Sequence, residues 1–193
     1  MGSTAGTEPA AAPGHPSRKR RMLLAFAIAA VVLIVVISVL ATVGGKATPR
    51  QLQTAKTFSL PQLGHPGRHV SLAAFAGRPV IVSFFASWCS PCKRETPLLA
   101  RFYHQHSGRI AVIGIDSNDQ QASGLRFSRA ADVTYPIGFD QFPSPVAISY
   151  GISVLPQTFM LNAKHQIVRH IFGAVTVAQL TAWANDLADA GRS

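Results

Sequence analysis

The chain holds two cysteines, three positions apart in Trp88-Cys89-Ser90-Pro91-Cys92, and the residues on either side restrict what they can belong to. Before them runs Pro79-Val-Ile-Val-Ser-Phe-Phe85, apolar almost throughout and rich in β-branched and aromatic residues. A run of that kind, without polar alternation, reads as a central strand covered on both faces of a mostly parallel sheet. After them, Leu98, Leu99, Phe102 and Tyr103 recur at helical spacing over residues 93–106. The cysteine pair therefore sits where a buried strand gives way to the N-terminus of a helix. Pro91 suits the first helical turn, where its missing N–H removes nothing, and Pro97 should kink the same helix.

Two thiols at i and i+3 on a first helical turn are close enough to form a disulfide. The first of them also meets the unpaired N–H groups and the dipole end that favour a thiolate. Only the thiolate attacks a disulfide, so the arrangement suits electron exchange. A structural disulfide is the bland reading, but closing so short a loop constrains the unfolded chain very little. Half of a zinc site is the other. It would need four ligands, no second cysteine pair exists, and His104 and His106 stand too close in sequence and point apart on a helix. No metal is expected.

Residues 80–97, with W-C-x-P-C-x-x-E-x-P carried by Trp88, Cys89, Pro91, Cys92, Glu95 and Pro97, resemble the TlpA/ResA-type thiol-disulfide oxidoreductases. These form the membrane-anchored, extracytoplasmic branch of the thioredoxin superfamily that includes the cytochrome c maturation thioredoxins. Phe58-Ser-Leu-Pro, Val70-Ser-Leu and Gly77-Arg-Pro resemble the family's N-terminal hairpin and lead-in. Tyr150-Gly-Ile-Ser-Val-Leu-Pro156-Gln-Thr-Phe resembles its Y-G-V-x-x-x-P-x-T-F segment, so the likeness runs from about Lys56 to the C-terminus.

The resemblance implies an α/β, thioredoxin-like domain with an N-terminal β-hairpin extension. It implies Cys89 as the attacking thiol, Cys92 as the buried resolving thiol, and Pro156 as a cis-proline beside the disulfide. Glu95 would be an active-site acid, set against the plainer role of a solvated charge serving the helix dipole. Trp88, Ser90, Pro91 and Leu155 would form the substrate groove, and no cofactor is needed beyond the Cys89–Cys92 disulfide. Two positions depart from the pattern. Ser83 stands where thioredoxins keep a buried Asp and this branch often has Asn, leaving Glu95 or water as general base. Gln157 follows Pro156 where a small or acidic residue is commoner.

Residues 1–21 are rich in Ala, Pro, Gly and Ser, read as a disordered tail, and end in Arg18-Lys-Arg-Arg21. Residues 22–43 carry no charge and are dominated by Leu, Ile, Val, Phe and Ala, long enough to cross a hydrocarbon layer of about 30 Å as one helix. The basic cluster before them places the N-terminus in the cytoplasm and the rest outside it, as a single-pass membrane protein. A cleaved signal peptide is the rival, but the run exceeds the usual apolar core of such peptides. A linker over 44–55 then leads to one domain over 56–193, of ordinary size for a single core. Beyond the cysteine helix, strands are expected over 110–115, 158–161 and 167–172. Helices are expected over 120–130, 146–150 and 177–190.

The net charge is +10, and from Gly44 onward fourteen Lys and Arg face seven Asp and Glu. These are scattered, without a dense patch or interleaved aromatics, which excludes nucleic acid as a partner. The expected partners are protein thiols and disulfides, apocytochrome c among them, with a membrane thiol electron donor, and the chain is expected to act as a monomer. Direction leans to a reductant; an oxidant of secreted thiols is the alternative. A peroxiredoxin fits poorly, since that chemistry places Thr or Ser three residues before its reactive cysteine and Pro seven before. Cys89 has Ala86 and Val82 there, and Cys92 has Cys89 and Phe85. A copper chaperone would use C-x-x-x-C and a distant His, which the segment around Pro156 lacks. Incidental copper(I) binding by the two thiolates remains compatible with the sequence.

Overall fold

The computed structural model describes residues 18–43 and 52–190, and the chain divides into two compact units, Met1–Arg50 and Gln51–Ser193. In the first, one helix, α1 (Arg18–Val43), runs for 26 residues. Over the described residues no helix is long and apolar enough to cross a membrane. Side chains 24, 25 and 39–43, which belong to the span expected over 22–43, lie outside the described residues, as do residues 1–17 of the expected tail and 44–51 of the expected linker.

The second unit opens earlier than its sequence suggests. Thr54 bridges Gln166, and Ala55 N–H donates to the His165 carbonyl at 2.9 Å, so the last residues of the expected linker are part of the domain. Backbone pairing and a buried Ala55 hold them there, which composition alone does not reveal. An antiparallel hairpin follows, β1 (Ser59–Pro61) with β2 (His69–Ser71).

Five strands then make the sheet: β3 (Val80–Phe85), β4 (Ala111–Ser117), β5 (Ile137–Asp140), β6 (Gln157–Leu161) and β7 (Ile167–Phe172), in the order β5-β4-β3-β6-β7. β3 runs parallel to β4 and antiparallel to β6. β3 is buried at every position, as its apolar run requires, and β4 likewise, its polar end Asp116-Ser117 included. Edge strand β7 is largely exposed.

Side-chain alternation divides β3 between two cores. Val80, Val82 and Phe84 join the hairpin residues Phe58, Leu60 and Val70 on one face. Ile81 and Phe85 join Leu99 and Phe102 of α2 (Ser90–His106) and Leu180 and Trp183 of α5 (Val177–Ala190) on the other. Each fully buried side chain of that size contributes roughly 1.5–3 kcal/mol. α3 (Gln121–Ala130) packs on the α2 side through Leu125 and Phe127, and the short α4 (Pro145–Ser149) on the other through Ala147. The result is a thioredoxin-like α/β fold with its hairpin extension, its elements close to those read from the sequence.

Candidate active site

The strand that places the cysteines ends at Phe85, and α2 begins at Ser90 with Cys89 as its N-cap. Cys89 and Cys92 form a disulfide, with Cα atoms 5.3 Å apart. The Cys92 N–H points at Cys89 Sγ, 3.2 Å away. That is one of the helix's unpaired donors, and in the reduced protein it favours a thiolate on Cys89. Cys89 is 4% exposed and Cys92 fully buried, the order expected for attacking and resolving thiols, although both are well covered.

The lead-in is clamped from the β4–α3 loop. Asp119 accepts the Ser87 N–H on Oδ2 and the Ser87 hydroxyl on Oδ1, and the Trp88 indole N–H donates to the Asn118 carbonyl at 2.9 Å. Trp88 is nevertheless 57% exposed, a large apolar face beside the disulfide. Ser90 is exposed on the first turn and Pro91 half-buried. The Leu155–Pro156 peptide bond is cis. Leu155 packs against the apolar cluster that contains both cysteines, and the Pro156 carbonyl accepts the Gly173 N–H at 2.9 Å.

Glu95 is not a solvated helix charge. It is 1% exposed, one turn beyond Cys92 and turned down onto the sheet. Ser83 and Thr158 are direct cross-strand partners on β3 and β6, and both hydroxyls donate to Glu95 Oε1, at 3.5 and 2.6 Å. Burial pushes the Glu95 carboxyl up to about 7, with hydrogen bonds from Thr158, Ser83 and the Val175 backbone opposing it in part. Ser83, which stands where thioredoxins keep a buried Asp, here donates to the buried Glu95 carboxyl.

A second buried acid has no counterpart in the sequence reading. Asp116, opposite Phe85 in the β3–β4 register, is fully buried, and neither of its oxygens meets a donor. Burial first, then the charge of Asp119 and a hydrogen bond with it, push Asp116 up to about 8. At the end of an apolar run, an Asp reads as the point where a strand meets water. The only sequence signal against that is Gly124, where an added Cβ would come within 1.8 Å of Asp116 Oδ2.

Residues 52–171 match the AhpC/TSA family. The chain belongs to that family. This AhpC/TSA domain is similar to thiol-disulfide oxidoreductase ResA of Bacillus subtilis (strain 168), with 26% identity over 175 residues, 87% of this chain and 94% of the relative. It is also similar to sporulation thiol-disulfide oxidoreductase A of the same organism, 31% identical over 114 residues, 57% of this chain and 68% of the relative. Among solved structures, that of StoA from Bacillus subtilis superposes with a TM-score of 0.57 at 29% identity, covering 68% of this chain and 98% of StoA. The ResA-type resemblance read from the W-C-x-P-C-x-x-E-x-P segment is borne out.

Proposed function

We propose that this thiol-disulfide oxidoreductase works as a reductant of protein disulfides outside the cytoplasm, held by α1 as a membrane anchor. Apocytochrome c cysteines are the favoured substrate, and a membrane thiol donor restores the dithiol. The observation that carries the reading is the Cys89–Cys92 disulfide at the α2 N-terminus with the carboxyl of Glu95 buried one turn away.

In the reduced protein the Cys89 thiolate attacks one sulfur of a substrate disulfide. The substrate S–S bond breaks, its leaving sulfur departs as a thiolate that takes a proton, and a mixed disulfide forms. Cys92 then gives its proton to the Glu95 carboxylate and attacks Cys89 Sγ. That step closes Cys89–Cys92, frees the second substrate thiolate, and completes the transfer of two electrons to the substrate. A carboxyl poised near 7 can take and return a proton at neutral pH.

Direction follows from how well the reduced thiolate is held. Cys89 has the Cys92 N–H to support a thiolate, while an ionised Glu95 nearby opposes one. This balance favours the disulfide and hence a reductant. Equilibration with glutathione and dithiothreitol buffers tests it: a potential near the thioredoxin value of about −270 mV supports the reading, and one near about −120 mV, that of a strong oxidant, reverses the direction.

Anchoring is supported by α1 itself, 26 residues long and so about 39 Å at 1.5 Å per residue, with Leu23, Phe26, Ile28, Val31 and Ile34 all exposed. The stretch over 22–43 carries no charge, a composition suited to lipid, and Arg18-Lys-Arg-Arg21 before it would face the cytoplasm. The full chain is expected to remain with membranes after carbonate extraction; a mature protein starting near Thr42 would show a cleaved signal instead.

A further inference from the structure

Basic residues scattered along the sequence gather at one end of the folded domain. Cys89 follows β3 at its C-terminal end, and β4 and β5 run parallel to β3. At the opposite end lies a hollow of about 440 Å³, lined by His65, Arg68 and His69 of the hairpin and by Thr134 and Pro136 ahead of β5. Arg109 stands two residues before β4. Lys164 sits in the turn after β6, whose last residue Leu161 pairs with Val80 at the start of β3. Arg68, Arg109 and Lys164 are exposed, and among the described residues none of these side chains makes a hydrogen bond or ion pair. Acids do little to offset them. None occurs in the sequence between Glu8 and Glu95, and Glu95, Asp116 and Asp140 are buried. Asp132 and Asp186, toward the basic end, already lie beside His104 at 3.7 Å and Arg169 at 2.6 Å. The chain also enters the domain at this end, where Thr54 bridges Gln166 of the β6–β7 turn.

We infer that this end of the domain docks on a bilayer surface carrying anionic phospholipid headgroups, with the Cys89–Cys92 disulfide at the far end, turned away from the lipid. The partner follows from charge and from reach. Unpaired cations attract a negative surface, each adding about fivefold to the affinity. That attraction decays within about 8 Å at physiological salt, so only the cations on the facing end count. Residues 44–51 are all that separate α1 from the described domain, at most about 28 Å of extended chain. Docking rests on the anchor reading for this short tether alone; the charge distribution stands without it.

The test uses the Gln51–Ser193 unit, which holds both hydrophobic cores and the whole five-stranded sheet and so folds without α1. It is titrated at low salt with vesicles of phosphatidylcholine alone, and with vesicles of phosphatidylcholine and phosphatidylglycerol in equal parts. Binding to the second and not the first is expected, weakening as salt rises. Arg68→Glu, Arg109→Glu and Lys164→Glu should each lower the affinity by about fivefold or more, whereas Arg94→Glu, exposed beside the cysteines, should change it by less than about twofold. Trp183 is buried, so a change of tryptophan emission on adding vesicles reports Trp88, 57% exposed at the cysteine end, and none is expected. No binding to the anionic vesicles, a loss in Arg94→Glu equal to that in the other three, or a blue shift of Trp88 would overturn the docking. Anchoring by α1 is read separately, by carbonate extraction of the full chain, so either claim can fail alone.

Discussion

Replacing Asp116 by Asn should stabilise the domain at neutral pH, and by an amount that depends on pH. Asp116 is held protonated up to about pH 8 in the folded protein, against 3.8 for the free side chain. Because its folded pKa is raised, the unfolded chain releases the proton first as pH climbs. Unfolding is therefore increasingly favoured between about pH 4 and pH 8, by about 1.4 kcal/mol per pH unit for this group alone. At pH 7 that amounts to about 4 kcal/mol, an upper figure. Asn keeps the shape and stays neutral, although its N–H groups, unmet as the Asp116 oxygens are, cost about 1 kcal/mol. The expected gain is about 2–3 kcal/mol at pH 7, turning at pH 4 into a loss of up to about 1 kcal/mol, where only the unmet N–H counts. Urea unfolding of the disulfide-intact Gln51–Ser193 unit at pH values from 4 to 8 measures both. A wild-type stability that is flat from pH 5 to pH 8, or an Asp116→Asn variant less stable than wild type at pH 7, would show that the fold does not hold Asp116 protonated.

Glu95 adds a second slope over a narrower window, from about pH 4.5 to about 7, since burial raises its pKa too. Glu95→Gln should remove that slope and slow resolution of the mixed disulfide, by the 10²–10⁴-fold typical of a lost general base, while leaving the first attack by Cys89 largely intact; rapid-quench analysis of both steps separates them. Gly124→Ala should cost about 1–3 kcal/mol in the same urea assay, because its Cβ falls 1.8 Å from Asp116 Oδ2. Combined with Asp116→Ala, which vacates the space, the Gly124→Ala penalty should largely disappear, and two additive losses would show that the groups do not touch.

The strand–cysteine–helix junction was legible because each part has a local signature: an unbroken apolar run over 79–85, helical spacing after Cys92, and a proline two residues into α2. The two cores follow from the same alternation along β3. What surrounds the cysteines was less accessible. Glu95 owes its burial to Thr158, 63 positions away, and to the pairing of Thr158 with Ser83 across two antiparallel strands. No period in the sequence encodes that register. Phe142 reads as an ordinary loop aromatic until Asp140, Ser144 and Asn118 are seen to hold its loop, and the second cis bond, Phe142–Pro143, lies there. Asp116 misleads because a polar residue ending an apolar run usually marks the surface, and only the packing of α3 at Gly124 covers it. Cys89 and Cys92 were readable as chemistry from their spacing and context, and Glu95 from the C-x-x-E-x-P segment, whereas the burial of Glu95 and Asp116 belongs to tertiary structure.

Trapping decides whether Cys89 attacks and Cys92 resolves. The full-length Cys92→Ala variant, mixed with a protein disulfide, should accumulate an adduct held through Cys89 and released by dithiothreitol, with the site read by mass spectrometry of the non-reduced digest. Cys89→Ala should form none, because the remaining thiol is fully buried. An adduct at Cys92 in the Cys89→Ala variant, with none at Cys89 in Cys92→Ala, would contradict the assignment and the mechanism built on it.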